Sequence, residues 1–376
     1  MLVSWQLTVI SNIRHYPLAK IQSCPIINDV QTVQTTTKPK GEESIPLTKP
    51  DLEYQKILAP LPKNISKIME IKSSEKPKEV KESNCVAHIG HKGDFPIIPL
   101  ISLPGAGNTW VRFLIEQSTG FLTGSYYNDK RLYKNLKGEL QDWLQQETIA
   151  VKDHSINGLR TKLNKIPVEK RPEVSGCILI IRNPRDAIFA QYNNKQAHGH
   201  TAIVGAGNLP GNATSQEIEE NIKNHLSDPK SAWREVSDRV AGNFRPIYTN
   251  AHKYCHHEVN TDTFLIVYEE LKESKEKVYE IMENLTNYIN KKNRNYVNSR
   301  TGDKLKKIRF RKECLEKNFE GNYHRKTGRE WDLGPYFSKT AVNNINYSVD
   351  WLNKTFLGAL PGDYIISENN NNDNND

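Results

Sequence analysis

The sequence predicts a three-layer α/β domain, a parallel sheet with helices on both faces. Three observations predict it. Short runs that are apolar throughout, such as Cys177–Ile181, read as strands buried on both faces. Stretches with apolar residues at helical spacing lie between them, as at Thr109–Gln117. Glycine or proline interrupts the chain where strand gives way to helix, at Pro104-Gly105-Ala106-Gly107 and at Asn183-Pro184. Strands that alternate with helices in this way are joined by crossovers, so neighbouring strands run parallel.

Taken in order, Ile97–Leu103 is the first strand, and it ends in Pro and Gly. Thr109–Gln117 follows as a helix with Val111, Leu114 and Ile115 on one face. Thr148–Val151 is the second strand and Cys177–Ile181 the third. Pro184–Asn193 reads as a helix with proline in its first turn. The fourth strand, Thr263–Tyr268, lies between helical stretches at about 231–253 and 271–290. The domain so defined covers residues 95–366. Residues 1–94 read as a mostly disordered region and linker. From about 31 to 84 they are rich in Thr, Lys, Pro, Glu and Ser, with too little apolar content to offset the entropy of ordering. The Asn-rich tail, 367–376, reads as disordered for the same reason.

The charge of +8 favours anionic partners, or else a solvated basic surface. The five cysteines stand far apart with no CxxC pair, which excludes a zinc ribbon and a thioredoxin-type motif. Their odd number allows at most two internal bridges. The apolar stretch Met1–Ile10 is far short of the roughly 18 residues a membrane-spanning helix needs. It also lacks the basic start of a signal peptide. No transmembrane segment is therefore expected.

Four motifs carry chemistry. Gly105-Ala106-Gly107-Asn108-Thr109-Trp110 joins the first strand to a helix start, a geometry that cradles anions on backbone N–H groups and the helix dipole. Asn108 and Thr109 offer further donors; the alternative is an ordinary tight turn. A Walker A loop would carry Lys after its last glycine, and Asn108 stands there, which disfavours ATP or GTP hydrolysis. Arg182 follows the third strand at the sheet edge where α/β proteins bind ligands, and its guanidinium suits a phosphate or an ion pair with Asp186. Lys152 and His154 end the second strand; taken alone, the histidine is a polar strand end. Tyr323-His324-Arg325-Lys326-Thr327-Gly328-Arg329 is either a basic flap over an anion or a solvated loop.

The stretch Ser102–Trp110 resembles the 5′-phosphosulfate loop of sulfotransferases that use 3′-phosphoadenylyl sulfate (PAPS). On to Gly120–Tyr127 it is similar to the sulfotransferase domain of WSC-domain-containing sialate O-sulfotransferases. The resemblance implies the P-loop-like sulfotransferase fold with PAPS as co-substrate and no metal. It implies that Gly105, Ala106, Gly107, Asn108, Thr109 and Trp110 hold the 5′-phosphosulfate. Trp110 either stacks on adenine or packs behind the helix. Arg182, Arg325 and Lys326 are then 3′-phosphate ligands, His154 the general base and Lys152 the stabiliser of developing charge. Two positions depart from the family pattern. Gly105 stands where many members carry a catalytic Lys or Arg, and Ala190 where a serine is common.

Two other clusters carry less. Adjacent residues in Cys255-His256-His257-Glu258 project in different directions and do not suit one metal ion. The basic run from Lys304 to Lys312 is expected to be helical. With little aromatic interleaving, it suits a solvated face or an acidic-substrate rim better than nucleic acid. The function expected is sulfuryl transfer to a hydroxyl, implied by the resemblance to lie on a sialylated or other acidic glycan, in the Golgi lumen or membrane. The alternatives are a catalytically impaired nucleotide-binding relative and a phosphoryl-transfer enzyme.

Overall fold

A computed structural model describes residues 85–196, 214–319 and 333–366, apart from the single positions 299, 357, 359, 362 and 363. Five parallel strands form one sheet in the order β2-β3-β1-β4-β5. They are β1 (Pro99–Ser102), β2 (Gly124–Ser125), β3 (Val151–Asp153), β4 (Cys177–Ile181) and β5 (Thr263–Val267). The helices in chain order are α1 (Asn108–Thr119), α2 (Ile156–Asn164), α3 (Pro184–Gln196), α4 (Ser215–Ser227), α5 (Trp233–Lys253), α6 (Glu270–Glu273), α7 (Lys275–Asn293), α8 (Lys312–Asn318) and α9 (Lys339–Thr355).

Side chains alternate across the sheet, and so the sequence builds two cores. Leu100, Ile178 and Ile180 face one way and pack with Val111 and Leu114 of α1 and Met282 and Leu285 of α7. Ile101, Leu179 and Ile181 face the other way, toward Leu159 of α2, Phe244 and Tyr248 of α5, and Val349 of α9. This is the three-layer α/β arrangement expected. After β3 the chain crosses β1 to form β4 on its far side. Such a reversal opens a crevice at the carboxyl ends of the strands.

Three expectations shift. The second strand is Val151–Asp153 rather than Thr148–Val151. Thr148 to Ala150 are buried but lie ahead of the ladder, whose register begins at Pro99 opposite Val151. The stretch expected as one helix at 271–290 is two, because Ser274 is extended and its hydroxyl caps α7 by accepting from Lys277 N–H. The basic run is not helical before Lys312. There the backbone is taken by other partners. Asn290 brackets Ile308, donating Nδ2 to its carbonyl at 2.9 Å and accepting its N–H at 2.8 Å.

Ordered structure begins ahead of residue 95. His88 pairs with Phe121, and Cys85 is disulfide-bonded to Cys314. A second disulfide joins Cys177 to Cys255. It removes the one thiolate from the Cys-His-His-Glu stretch. Residues 1–84 and the tail 367–376 lie outside the described residues. No helix among the described residues is long and apolar enough to cross a membrane.

Candidate functional site

The loop after β1 is built around two glycines. Gly105 and Gly107 have φ of +89° and +87°, the left-handed region that L side chains avoid. Space excludes a side chain as well. A Cβ on Gly105 would lie 2.1 Å from the carbonyl oxygen of Ala187, and one on Gly107 2.2 Å from the Tyr268 ring. Between them Ala106 N–H donates to Leu103 O at 3.1 Å, which closes the turn. The turn is tied from below by the buried Tyr248 hydroxyl, which accepts from Leu103 N–H at 3.2 Å and donates to Ile180 O at 2.7 Å. Helix α1 then starts with no side chain capping it and no acidic residue in its first turn. An uncapped helix start on a glycine turn presents N–H groups and positive dipole to an anion.

The end of β3 adds a base and a cation. In the register Leu100 pairs with Lys152 and Ile101 with Asp153. Lys152 and His154 therefore share one face, toward α1, while Asp153 faces the other layer. His154 Nδ1 lies 3.0 Å from the carbonyl oxygen of Ser102. A carbonyl only accepts, so this contact assigns the proton to Nδ1 and leaves the Nε2 lone pair open. Burial, and secondarily the nearby Lys152 charge, push the imidazole down to about 3, so it is neutral at ordinary pH.

Lys152 is 6% exposed, and its ammonium makes no ion pair or hydrogen bond among the described residues. It lies over the Tyr127 ring, 5.7 Å from the centroid. Burial pushes it down to about 8. The carboxylate of Glu139 works against that shift, but Glu139 is itself paired with the fully buried Arg112. Tyr127 fixes the strand end. Its hydroxyl accepts from His154 N–H at 3.0 Å and donates to Asp153 Oδ1 at 2.8 Å. Asp153 also accepts from the N–H groups of Ser155 and Leu159, at 3.0 and 3.2 Å, and so holds the start of α2.

Arg182 reaches the same loop from β4. Its Nη1 donates to Gly105 O at 2.9 Å, its Nη2 lies 3.8 Å from Asp186 Oδ2, and the guanidinium stacks over Tyr268 at 4.6 Å. The Nε is buried without a partner among the described residues, so the fork is incompletely satisfied. Behind it Glu269 accepts from Asn183 N–H at 3.0 Å and from the Tyr364 hydroxyl.

The fold thus brings Gly105, Ala106, Gly107, Thr109, Lys152, His154 and Arg182 to one edge of the sheet. Two expected ligands are turned inward. The Asn108 amide donates to Ser102 Oγ at 3.1 Å and to Leu100 O at 3.4 Å, so it braces the loop. Trp110 is 3% exposed and edge-on to Tyr268 in the α1-side core, packed behind the helix. Ala190 is buried in α3. Arg325 and Lys326 lie outside the described residues. Sequence reasoning gives Tyr127 no role as the brace of the strand end and places Tyr268 only as the last residue of a strand. An aromatic at a strand end has no signal of its own until the fold sets it beside a cation.

These features define an α/β chain with a glycine-built strand–loop–helix at its switch point and a strand-end histidine beside it. No family model matches the chain. Among curated proteins it is similar to three called WSCD family members. One from Aedes aegypti is 32% identical over 145 residues, 39% of this chain and 40% of the relative. One from Drosophila pseudoobscura pseudoobscura is 38% identical over 105 residues, 28% of this chain and 29% of the relative. One from Drosophila melanogaster is 36% identical over 105 residues, with the same shares. The matched stretches thus span less than half the length of these relatives.

Proposed function

We propose that this chain is a sulfotransferase that moves a sulfuryl group from PAPS to a hydroxyl of a glycan. The observation that carries the reading is the convergence of two strand ends on one turn: His154 bonded to Ser102 O and Arg182 bonded to Gly105 O. The residues fit an anionic nucleotide. The uncapped start of α1, the unpartnered Arg182 Nε and the unpaired Lys152 ammonium are donors and charges without an internal use among the described residues.

On this reading His154 Nε2 takes the proton of the acceptor hydroxyl, whose oxygen forms the new bond to sulfur as the bond from sulfur to the phosphate oxygen breaks. Lys152 supplies positive charge where negative charge grows. Arg182, held by Gly105 O and Tyr268, binds a phosphate of the nucleotide. The two disulfides support an oxidising compartment, which suits a secreted or lumenal glycan acceptor.

The test is thermal stabilisation by adenosine 3′,5′-bisphosphate against 5′-AMP and ATP, in the wild type and Arg182→Ala. A ligand that binds only the folded state raises the melting temperature by mass action. Stabilisation by the bisphosphate that Arg182→Ala loses supports the reading. Stabilisation by ATP alone sinks it in favour of phosphoryl transfer.

A further inference from the structure

At the opposite end of the sheet lies a cavity of about 1000 Å³. Its place follows from chain direction. It is lined by the segment before β1, by Thr119 and Phe121 at the far end of α1, and by residues after α7. The C-terminal half of α7 sits at the start of β4, where the Tyr288 hydroxyl donates to Cys177 O at 3.1 Å. The strand-end site described above is at the other end of these strands.

The cavity is cationic, and the backbone that carries its cations is held in place. Lys304, Lys306, Lys307 and Arg309 line it and are exposed, and none makes an ion pair or hydrogen bond among the described residues. The backbone that carries them is pinned from within. Ile308 is 4% exposed in the core and bracketed by Asn290, and Leu305 and Phe310 pack on the same core. Just beyond, Arg311 N–H donates to Ser118 O at 2.8 Å, and Cys314 is bonded to Cys85. Of the carboxylates in the lining, Asp94 is engaged by His91 N–H and Asn298, which leaves Asp303 and Glu313 against the cations.

We propose that this cavity is a second binding site, for an oligoanionic saccharide, with Lys304, Lys306, Lys307 and Arg309 as its anion-binding groups. Its volume is at the upper end of small-molecule sites and exceeds what one phosphate or sulfate ion fills. Repeated charges on the ligand match repeated charges on a fixed segment. Nucleic acid fits less well. The rings that line the cavity are few, Phe121 and two histidines, and Phe121 is turned against its neighbours, tilted to His88 at 4.5 Å and edge-on to Phe95 at 4.9 Å, so there is no row of aromatic faces for successive bases. Two disulfides also point to a compartment without nucleic acid. The site does not depend on sulfuryl transfer.

The experiment measures binding of the full chain, without nucleotide, to heparin oligosaccharides and to a carboxylate-only polysialic acid. The comparison is between the wild type, a Lys304→Gln/Lys306→Gln/Lys307→Gln/Arg309→Gln variant and a control that removes four exposed charges elsewhere (Lys165→Gln/Lys170→Gln/Lys230→Gln/Lys253→Gln). Binding of either polymer by the wild type and the control, weakened at least tenfold in the cavity variant, is expected. So is a drop of about three in the slope of log affinity against log salt, from the counterions no longer released. Stabilisation by adenosine 3′,5′-bisphosphate, where the wild type shows it, stays unchanged in the cavity variant. A single Lys306→Gln exchange gives a partial loss even if the fourfold variant folds poorly. Binding of neither polymer, an equal loss in the control, or tighter binding of a single-stranded RNA through the same four residues overturns the proposal.

Discussion

Replacing Gly105 with alanine tests whether the loop is set by packing. The residue holds φ at +89°, and an L side chain in the left-handed region costs about 1–2 kcal/mol. The added Cβ would sit 2.1 Å from the Ala187 carbonyl oxygen and 2.9 Å from the Gln191 nitrogen, both backbone atoms of α3. Carbon and oxygen approach comfortably at roughly 3.3 Å, so loop and helix must part by about 1 Å. Overpacking of that kind costs about 1–3 kcal/mol. Together the two effects give a loss of about 2–5 kcal/mol. Urea unfolding measures it as a lower midpoint at unchanged slope. Gly242→Ala is the control: it sits inside α5, its Cβ meets only Asn344 Nδ2 at 3.8 Å, and it should stabilise by roughly 0.5–1 kcal/mol. A Gly105→Ala loss below about 1 kcal/mol would refute the reasoning, because the turn would then be free to relax. The same geometry predicts that Gly105→Lys destabilises at least as much and confers no gain in turnover.

Removing the inner disulfide with Cys177→Ser/Cys255→Ser opens a loop of 78 residues, for which chain entropy alone predicts a loss of roughly 4.5 kcal/mol; calorimetry under oxidising conditions checks it, and an unchanged melting temperature contradicts it. His154 predicts a pH dependence of stability. Its folded pKa, about 3, lies below the ordinary value of 6.5, so between them the unfolded chain binds the extra proton. Stability is fully present above about pH 6.5 and falls as the pH drops toward 3; His154→Asn should flatten that slope in urea midpoints measured across this range, and parallel curves for the two proteins would contradict a half-buried imidazole held neutral.

How far the sequence could be read depended on whether a residue's neighbours were local. Cys177–Ile181 was legible to the residue because a strand covered on both faces is apolar at every position. Val151–Asp153 was placed three residues early, because hydropathy reads Lys152 and Asp153 as surface. They are buried only because Tyr127, Ser155 and Leu159 satisfy Asp153, and because Lys152 has Tyr127 beneath it. The basic run had helical propensity and no local breaker. What keeps its backbone out of a helix is Asn290, whose distance in sequence hides it. At the site, Gly105, Gly107, Lys152, His154 and Arg182 stood out as types at strand ends. That Arg182 grips the Gly105 carbonyl, and that Asn108 turns inward, required the fold.

The absence of a lysine from the β1 loop and the presence of one in β3 have a common physical sense. The contact of Gly105 with α3 brings the loop so close to that helix that no side chain fits, and the carbonyl it exposes becomes the anchor for Arg182. A cation is then supplied from the neighbouring strand. Lys152 is held where water is scarce, and with its pKa near 8 it is still charged at neutral pH, though at the expense of desolvation. A desolvated ammonium without an internal counter-ion gains more from an arriving anion than a solvated one does, because little water has to be displaced. Burial first, and the same charge second, keep His154 from protonating. An anionic group that neutralises Lys152 relieves the smaller of these two causes, and burial, the larger, remains. On the proposed reading, an anionic donor at Lys152 therefore shifts the imidazole toward a stronger base without removing the burial that holds it low.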